Sequence, residues 1–206
     1  MKHAVISLIF LCSFTFNTQA ASFKTEKWQT TNGAQVVFYQ AMEVPMLDVR
    51  IAFAAGSAYD GKNFGLSSLT NRILDQGNGA FDVNQIAEKL ADTGAQYESE
   101  VSRDMAILHL KSLVAEPALD NALEIFRLII SQPHFKQDAF NREKNQQLVV
   151  ITQQQESPDE IANQLFFNKL YGEHPYAHPV NGTIDSIKKI NNWQIHEFYK
   201  RYYVRS

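Results

Sequence analysis

Tyr97-Glu98-Ser99-Glu100-Val101, then Ser102-Arg103-Asp104, then Met105-Ala106-Ile107-Leu108-His109-Leu110-Lys111-Ser112-Leu113, is the stretch whose pattern sorts the chain into a fold class. Polar residues in the middle mark a turn, and the runs on either side read as strands, so the stretch predicts a β-hairpin. Apolar side chains occupy both faces of 105–113, which suits a strand at the centre of its sheet. A few residues later the period changes. Leu119, Ala122, Leu123, Phe126, Ile129 and Ile130 recur at the spacing of one helix face, and Pro117 stands in a first turn, where its missing N–H is tolerated. A helix over 116–131 follows.

Upstream, 27–30 and 35–40 flank Thr31-Asn32-Gly33, where Asn-Gly favours the positive φ angles of a tight hairpin turn. Residues 46–54 place Leu47, Val49, Ile51 and Phe53 on one face of a further strand, which ends in the loop Ala55-Gly56-Ser57. Leu66, Leu69 and Ile73 mark a short helix expected to stop at Gly77. Asp82 caps the next one, with Gln85 answering from N3, and Val83, Ile86 and Leu90 face the core until Gly94.

Downstream, 137–155 is a longer and more polar helix. Ser157-Pro158-Asp159-Glu160 predicts a restart, with a capping box and proline at N1. Ile161, Ala162, Leu165, Phe166 and Leu170 are expected to form its buried stripe. The loop His174-Pro175-Tyr176-Ala177-His178-Pro179 leads to a last helix carrying Trp193, Phe198, Tyr199 and Tyr202. Strands early and helices late predict an α+β domain, with helices packed on one face of a mainly antiparallel sheet. No repeat or linker divides 21–206, so a single domain is expected.

The N-terminus has the order of a secretory leader: Lys2 and His3, an apolar run of 13 residues from Ala4 to Phe16, and the small-residue site Thr18-Gln19-Ala20. The run is short of the roughly 20 residues that span a bilayer, so cleavage after Ala20 and a product free of the membrane are expected. Cys12, the only cysteine, lies inside the leader, which leaves the exported chain without a disulfide and dependent on its core. Without Lys2 the balance is 18 basic against 22 acidic residues. Nothing in that balance suggests a nucleic-acid partner, which would demand a basic stripe.

A more specific order runs through these elements. Phe53-Ala54-Ala55-Gly56-Ser57-Ala58-Tyr59-Asp60, Gly65-Leu66, Gly77, Arg103-Asp104, Pro133-His134-Phe135, His174-Pro175-Tyr176 and Gly182-Thr183 follow one another in a way that resembles the N-terminal half-domain of the pitrilysin/insulinase peptidases. The likeness runs from about Val36 to Tyr203. In active members of that family the helix after Gly-Leu carries H-x-x-E-H, two histidines for one zinc ion and a glutamate that activates water. Carried onto this chain, those positions hold Ser68, Asn71 and Arg72, and the glutamate ligand of a later helix falls on Val150. A hydroxyl is a poor zinc ligand, an amide is no general base, a guanidinium has a fixed charge and no lone pair, and valine offers no donor. Between Asp138 and Gln155 the only acid is Glu143. From the residues alone, Ser68, Asn71 and Arg72 read as the polar face of an amphipathic helix, opposite Leu66, Leu69 and Ile73.

The resemblance therefore implies a non-catalytic member with no zinc of its own, pairing with an active zinc-peptidase sister subunit and contacting peptide substrates, exported to a bacterial periplasm. Two alternatives stand beside it. One is an active zinc peptidase with displaced ligands, for which His174 and His178 beside Glu173 are the candidates, although Pro175 and Pro179 oppose a regular helix there. The other is a scaffold that binds extended peptides along a strand edge. His109 and His134 lack clustered partners in the sequence and read as structural, and neither a G-x-S-x-G elbow nor a Gly-rich phosphate loop is present. In the family, the segment at Tyr202–Ser206 leads on to a second domain, which this chain is expected to lack.

Overall fold

The structure is a computed structural model that describes residues 24–203. The predicted leader and Val204, Arg205 and Ser206 lie outside the described residues. The chain divides into two compact units, one ending at Ala41 and the other beginning at Met42.

The first unit contains an antiparallel hairpin of β1 (Thr25–Gln29) and β2 (Gln35–Tyr39), with Trp28 opposite Val36. Its turn is wider than the tight one expected. The Thr30 N–H donates to Ala34 O at 2.9 Å, and within the loop only Gly33 takes a positive φ, +94°. The Thr30 hydroxyl explains the width, because it donates to the Asn32 side chain and accepts from the Ala34 N–H at 3.0 Å.

The second unit holds a three-stranded antiparallel sheet, β3 (Met46–Phe53), β4 (Gln96–Val101) and β5 (Ala106–Leu113), in the order β3-β5-β4. β5 is central, as its composition predicts, with Met46 opposite Leu113 and Gln96 opposite Lys111. Only one of its faces is fully buried, however. Ala106, Leu108, Leu110 and Ser112 are covered, while Ile107, His109 and Lys111 on the other face are half-buried.

Among the described residues, seven α-helices complete this unit: α1 (Leu66–Arg72), α2 (Val83–Thr93), α3 (Ala118–Ser131), α4 (Gln137–Glu156), α5 (Pro158–Tyr171), α6 (Ile184–Lys189) and α7 (Asn192–Tyr202). The core joins Leu108 and Leu110 to Leu69 and Ile73 of α1, Phe126 and Ile129 of α3, and Ile195 and Phe198 of α7. This is the α+β arrangement that the period change predicts. At α2 the capping box between Asp82 and Gln85 is present and Gly94 closes the helix at φ +65°.

Four expectations need correction. α1 ends at Arg72 rather than running to Gly77: the next N–H groups bond three residues back, Leu74 to Asn71 O at 3.3 Å and Gln76 to Ile73 O at 3.2 Å. The fully buried Asn78 side chain then donates to Leu74 O at 2.7 Å. The expected capping box at Ser157 does not form, although Pro158 does occupy the first position of α5. The α5 stripe is exposed rather than buried, with Leu165, Phe166 and Leu170 58–59% accessible, because the helix meets the body through the opposite face, Gln164, Phe167 and Tyr171. Finally, α6 was not anticipated, although Thr183 caps it with Ser186 in the same way that Asp82 caps α2.

Candidate functional site

α1 carries three of the four positions singled out in the sequence, and its start is fixed by unusual chemistry. Gly65 enters at φ +89°, and its N–H and that of Ser67 donate to the Asp60 carboxylate at 2.6 and 2.8 Å. Asp60 is buried, and loss of hydration pushes its carboxyl up to about 7 despite those two donors. A Cβ on Gly182 would lie 2.2 Å from Phe64 O, so the loop before α6 is pressed against the backbone that leads into α1.

The side chains of α1 are not a solvated polar face. Residues Leu66 through Asn71 are all buried, which overturns the amphipathic reading, and Ser68, Thr70, Asn71 and Arg72 each have an internal partner. The Ser68 hydroxyl donates to Asn181 Oδ1 at 2.8 Å. Asn71 Oδ1 accepts from the Tyr203 hydroxyl at 3.2 Å. Arg72 Nη2 donates to Glu143 Oε2 at 3.3 Å and to Gln146 Oε1 at 3.0 Å, both on α4. The Gln147 amide, one residue on, donates to Gly65 O at 3.1 Å and to Asn181 O at 2.9 Å. Val150 lies half-buried one turn farther along α4.

Burial raises the Glu143 carboxyl above its ordinary value, and Arg72 and Arg142 oppose that rise. The result is a closed ion pair between the two helices that would have to cooperate in holding a metal. Ser68 and Asn71 spend their oxygens on Asn181 and Tyr203, Arg72 brings a positive charge, and Val150 brings a hydrocarbon surface. These residues do not fit a zinc ion. Among the described residues, no three of His, Cys, Asp and Glu converge into a group able to hold a metal.

The two histidines of the displaced-ligand alternative are put to separate uses. His174 heads a short 3₁₀ turn, Pro175–Ala177, and its Nδ1 accepts from the Tyr176 N–H at 3.2 Å. His178 is buried, stacked on Phe64 with ring centres 4.2 Å apart, and burial lowers its basicity. His109, expected to lack partners, has two: Asp48 Oδ1 at 2.9 Å and Glu98 Oε2 at 3.7 Å, from the neighbouring strands on the open face of the sheet. His134 binds Gly79 O at 2.7 Å.

Sequence reasoning missed Asn181, Gln147 and Tyr203, the residues that close the site. Asn181 is 113 residues from Ser68 and Tyr203 is 132 from Asn71, so no local period points to either. Among the described residues, no helix is long and apolar enough to cross a membrane.

The sequence profile of the family described as Insulinase (Peptidase family M16) matches residues 36–184. The uncharacterized zinc protease YmxG of Bacillus subtilis is 21% identical over 179 residues, covering 86% of this chain and 43% of that protein. The non-peptidase homolog YmxG of Helicobacter pylori is 25% identical over 184 residues, covering 89% and 42%. The crystal structure of a peptidase M16 inactive domain from Pseudomonas fluorescens superposes with a TM-score of 0.82 at 38% identity, covering 85% of this chain and 43% of that one. The chain thus spans less than half the length of each.

Proposed function

The chain belongs to the insulinase family of peptidases, M16, and we propose that it is a non-catalytic member, exported to a bacterial periplasm, that works as a partner subunit and binds peptide substrates beside an active zinc peptidase. The observation that carries this reading is the Arg72 guanidinium, held by Glu143 and Gln146 where the resemblance puts a metal-binding imidazole. A fixed positive charge there repels a dication, and the carboxylate behind it is already neutralised. The similarity to the non-peptidase homolog of Helicobacter pylori and to the inactive domain from Pseudomonas fluorescens supports it.

The wall of such a subunit needs shape and not chemistry, and the α1–α4 contact supplies shape. In place of metal bonds, the network from Ser68 through Asn181 to Gln147 and Gly65 keeps the two helices and the 181–182 loop together. Zinc belongs to the partner in this scheme.

The test is to mix the purified chain with an exported family member that has an intact H-x-x-E-H motif and to follow cleavage of a fluorogenic peptide. The mixture is expected to outperform the sister alone, and equal rates would end the partner reading. Metal analysis after dialysis against zinc is expected to find far less than one equivalent. Near-stoichiometric zinc, lost on substituting His174 or His178, would instead establish an enzyme. Mass spectrometry of the secreted product should find Ala21 at its N-terminus, and an uncleaved chain in the cytoplasmic fraction would remove the export step.

A further inference from the structure

We propose that Asn32 is a self-modification site, where the backbone nitrogen of Gly33 converts the Asn32 carboxamide to an acid with help from the Thr30 hydroxyl. The chain holds three Asn-Gly pairs, Asn32-Gly33, Asn78-Gly79 and Asn181-Gly182. Glycine has no Cβ to hinder attack of its nitrogen on the preceding carboxamide, so the three share one intrinsic chemistry. The fold separates them.

Asn78 is fully buried, and its amide donates to Leu74 O at 2.7 Å and to Leu128 O at 3.3 Å. The Gly79 N–H is tied to Gln132 O at 3.1 Å. Asn181 is half-buried; its Oδ1 accepts from Ser68 and its Nδ2 donates to Gln154 at 3.4 Å, while Gly182 is pressed against Phe64 O. Turning either carboxamide onto the next nitrogen breaks contacts with distant parts of the chain. Asn32 instead lies exposed in the turn between β1 and β2, and the contact on its Oδ1 is local, from the Thr30 hydroxyl. The Gly33 N–H donates to Thr30 O at 2.9 Å, and a hydrogen bond in an exposed turn opens at little cost.

In the reaction the Gly33 nitrogen gives up its proton and bonds to Asn32 Cγ, and negative charge gathers on Oδ1. The Thr30 hydroxyl already donates to that atom and stabilises the charge as it forms. The Cγ–Nδ2 bond then breaks, ammonia leaves with the proton, and a five-membered imide remains. Water opens the imide at either carbonyl, giving aspartate or its β-linked isomer. One water enters and one ammonia leaves, with no oxidant or reductant. The product places a new negative charge in the turn, and the β-linked form also lengthens the backbone between the two strands. Neither a partner subunit nor the α1–α4 contact takes part.

Peptide mapping by mass spectrometry, on the full purified chain held in mildly alkaline buffer at physiological temperature, follows amide-to-acid conversion at each asparagine. Asn32 is expected to convert at least about tenfold faster than Asn78 or Asn181 while the chain is folded. The three rates should draw together in urea, where the fold no longer protects. Thr30→Val should slow conversion at Asn32 about fivefold, the scale of one net hydrogen bond, and Thr30→Ser, which keeps the hydroxyl, should restore it. Equal rates at the three sites in the folded chain overturn the proposal, as does an Asn32 that converts only in urea. A Thr30→Val variant that converts as fast as wild type overturns the part given to the hydroxyl.

Discussion

Glu143, 5% exposed, faces a guanidinium that is about one-third exposed, and this asymmetry sets the energetics of the α1–α4 contact. Removing Arg72 leaves a buried carboxylate with only Arg142 near it, at 3.7 Å. Breaking a fully buried pair costs about 3–5 kcal/mol, but water reaches Arg72, so Arg72→Ala is expected to cost about 1–3 kcal/mol. Glu143→Gln removes the buried charge while keeping an acceptor and should cost less than about 1 kcal/mol. Urea midpoints compare the two directly, and equal losses would show that the charge is not what matters. Asp60 gives a second prediction, about pH. Its carboxyl is raised from 3.8 to about 7 by burial, so between those values the folded chain holds a proton that the unfolded chain has released. Its contribution to stability is complete below 3.8 and is lost as pH rises through 7. Asp60→Asn abolishes that slope and is less stable in acid, having one acceptor oxygen for two N–H donors. The gap in urea midpoint between wild type and variant should therefore be smaller at pH 8 than at pH 5, and a constant gap would refute the buried titration.

Helix starts show how far local pattern reaches. Both Asp82 and Ser157 precede a helix with a suitable residue at N3, yet only Asp82 accepts the N-terminal hydrogen bonds, from Asn84 and Gln85 at 2.9 and 3.0 Å. Asp82→Ala should cost about 1 kcal/mol, a fall of roughly 2–4 °C in Tm for a chain of this size, while Ser157→Ala should leave the melting curve in place. Equal shifts in calorimetry would mean that the Ser157 box does form in solution. The hairpin β4–β5, the α2 cap and the extents of α3 and α4 were legible because each depends on contacts a few residues apart, and the central place of β5, which rests on its long-range pairing with β3, was legible from apolar residues on both of its faces. The α1 polar face and the α5 stripe were misread for one shared reason. A period identifies which side chains share a face and is silent on what covers it. Protein covers Ser68 and Asn71, through residues more than a hundred positions away, and leaves Leu165 and Phe166 bare. The family resemblance pointed to the positions Ser68, Asn71, Arg72 and Val150, whose identities are plain in the sequence. Their partners Asn181, Gln147 and Tyr203 were not legible there.

At the scale of the whole molecule, the second unit depends on the 181–182 loop closing against the segment that opens α1. Phe64 O accepts from the Ser186 hydroxyl at 2.7 Å, Gln147 bridges Gly65 O and Asn181 O, and Gly182 leaves no room for a side chain. A Cβ there would meet Phe64 O at 2.2 Å, Phe64 C at 2.7 Å and Gly65 N at 2.9 Å, all backbone atoms, from a φ of +76°. Gly94, at φ +65° with nothing within 4 Å, isolates the conformational part of that cost. Gly94→Ala should therefore cost about 1–2 kcal/mol, the left-handed penalty alone. Gly182→Ala adds overpacking of about 1–3 kcal/mol and should lower the urea midpoint well beyond Gly94→Ala. It should also loosen Ser68 from Asn181, because the displaced carbonyl belongs to the residue before Gly65. If the two variants are equally stable, the loop is not pressed on α1 as described, and the α1–α4 wall that a partner subunit would need has lost its anchor.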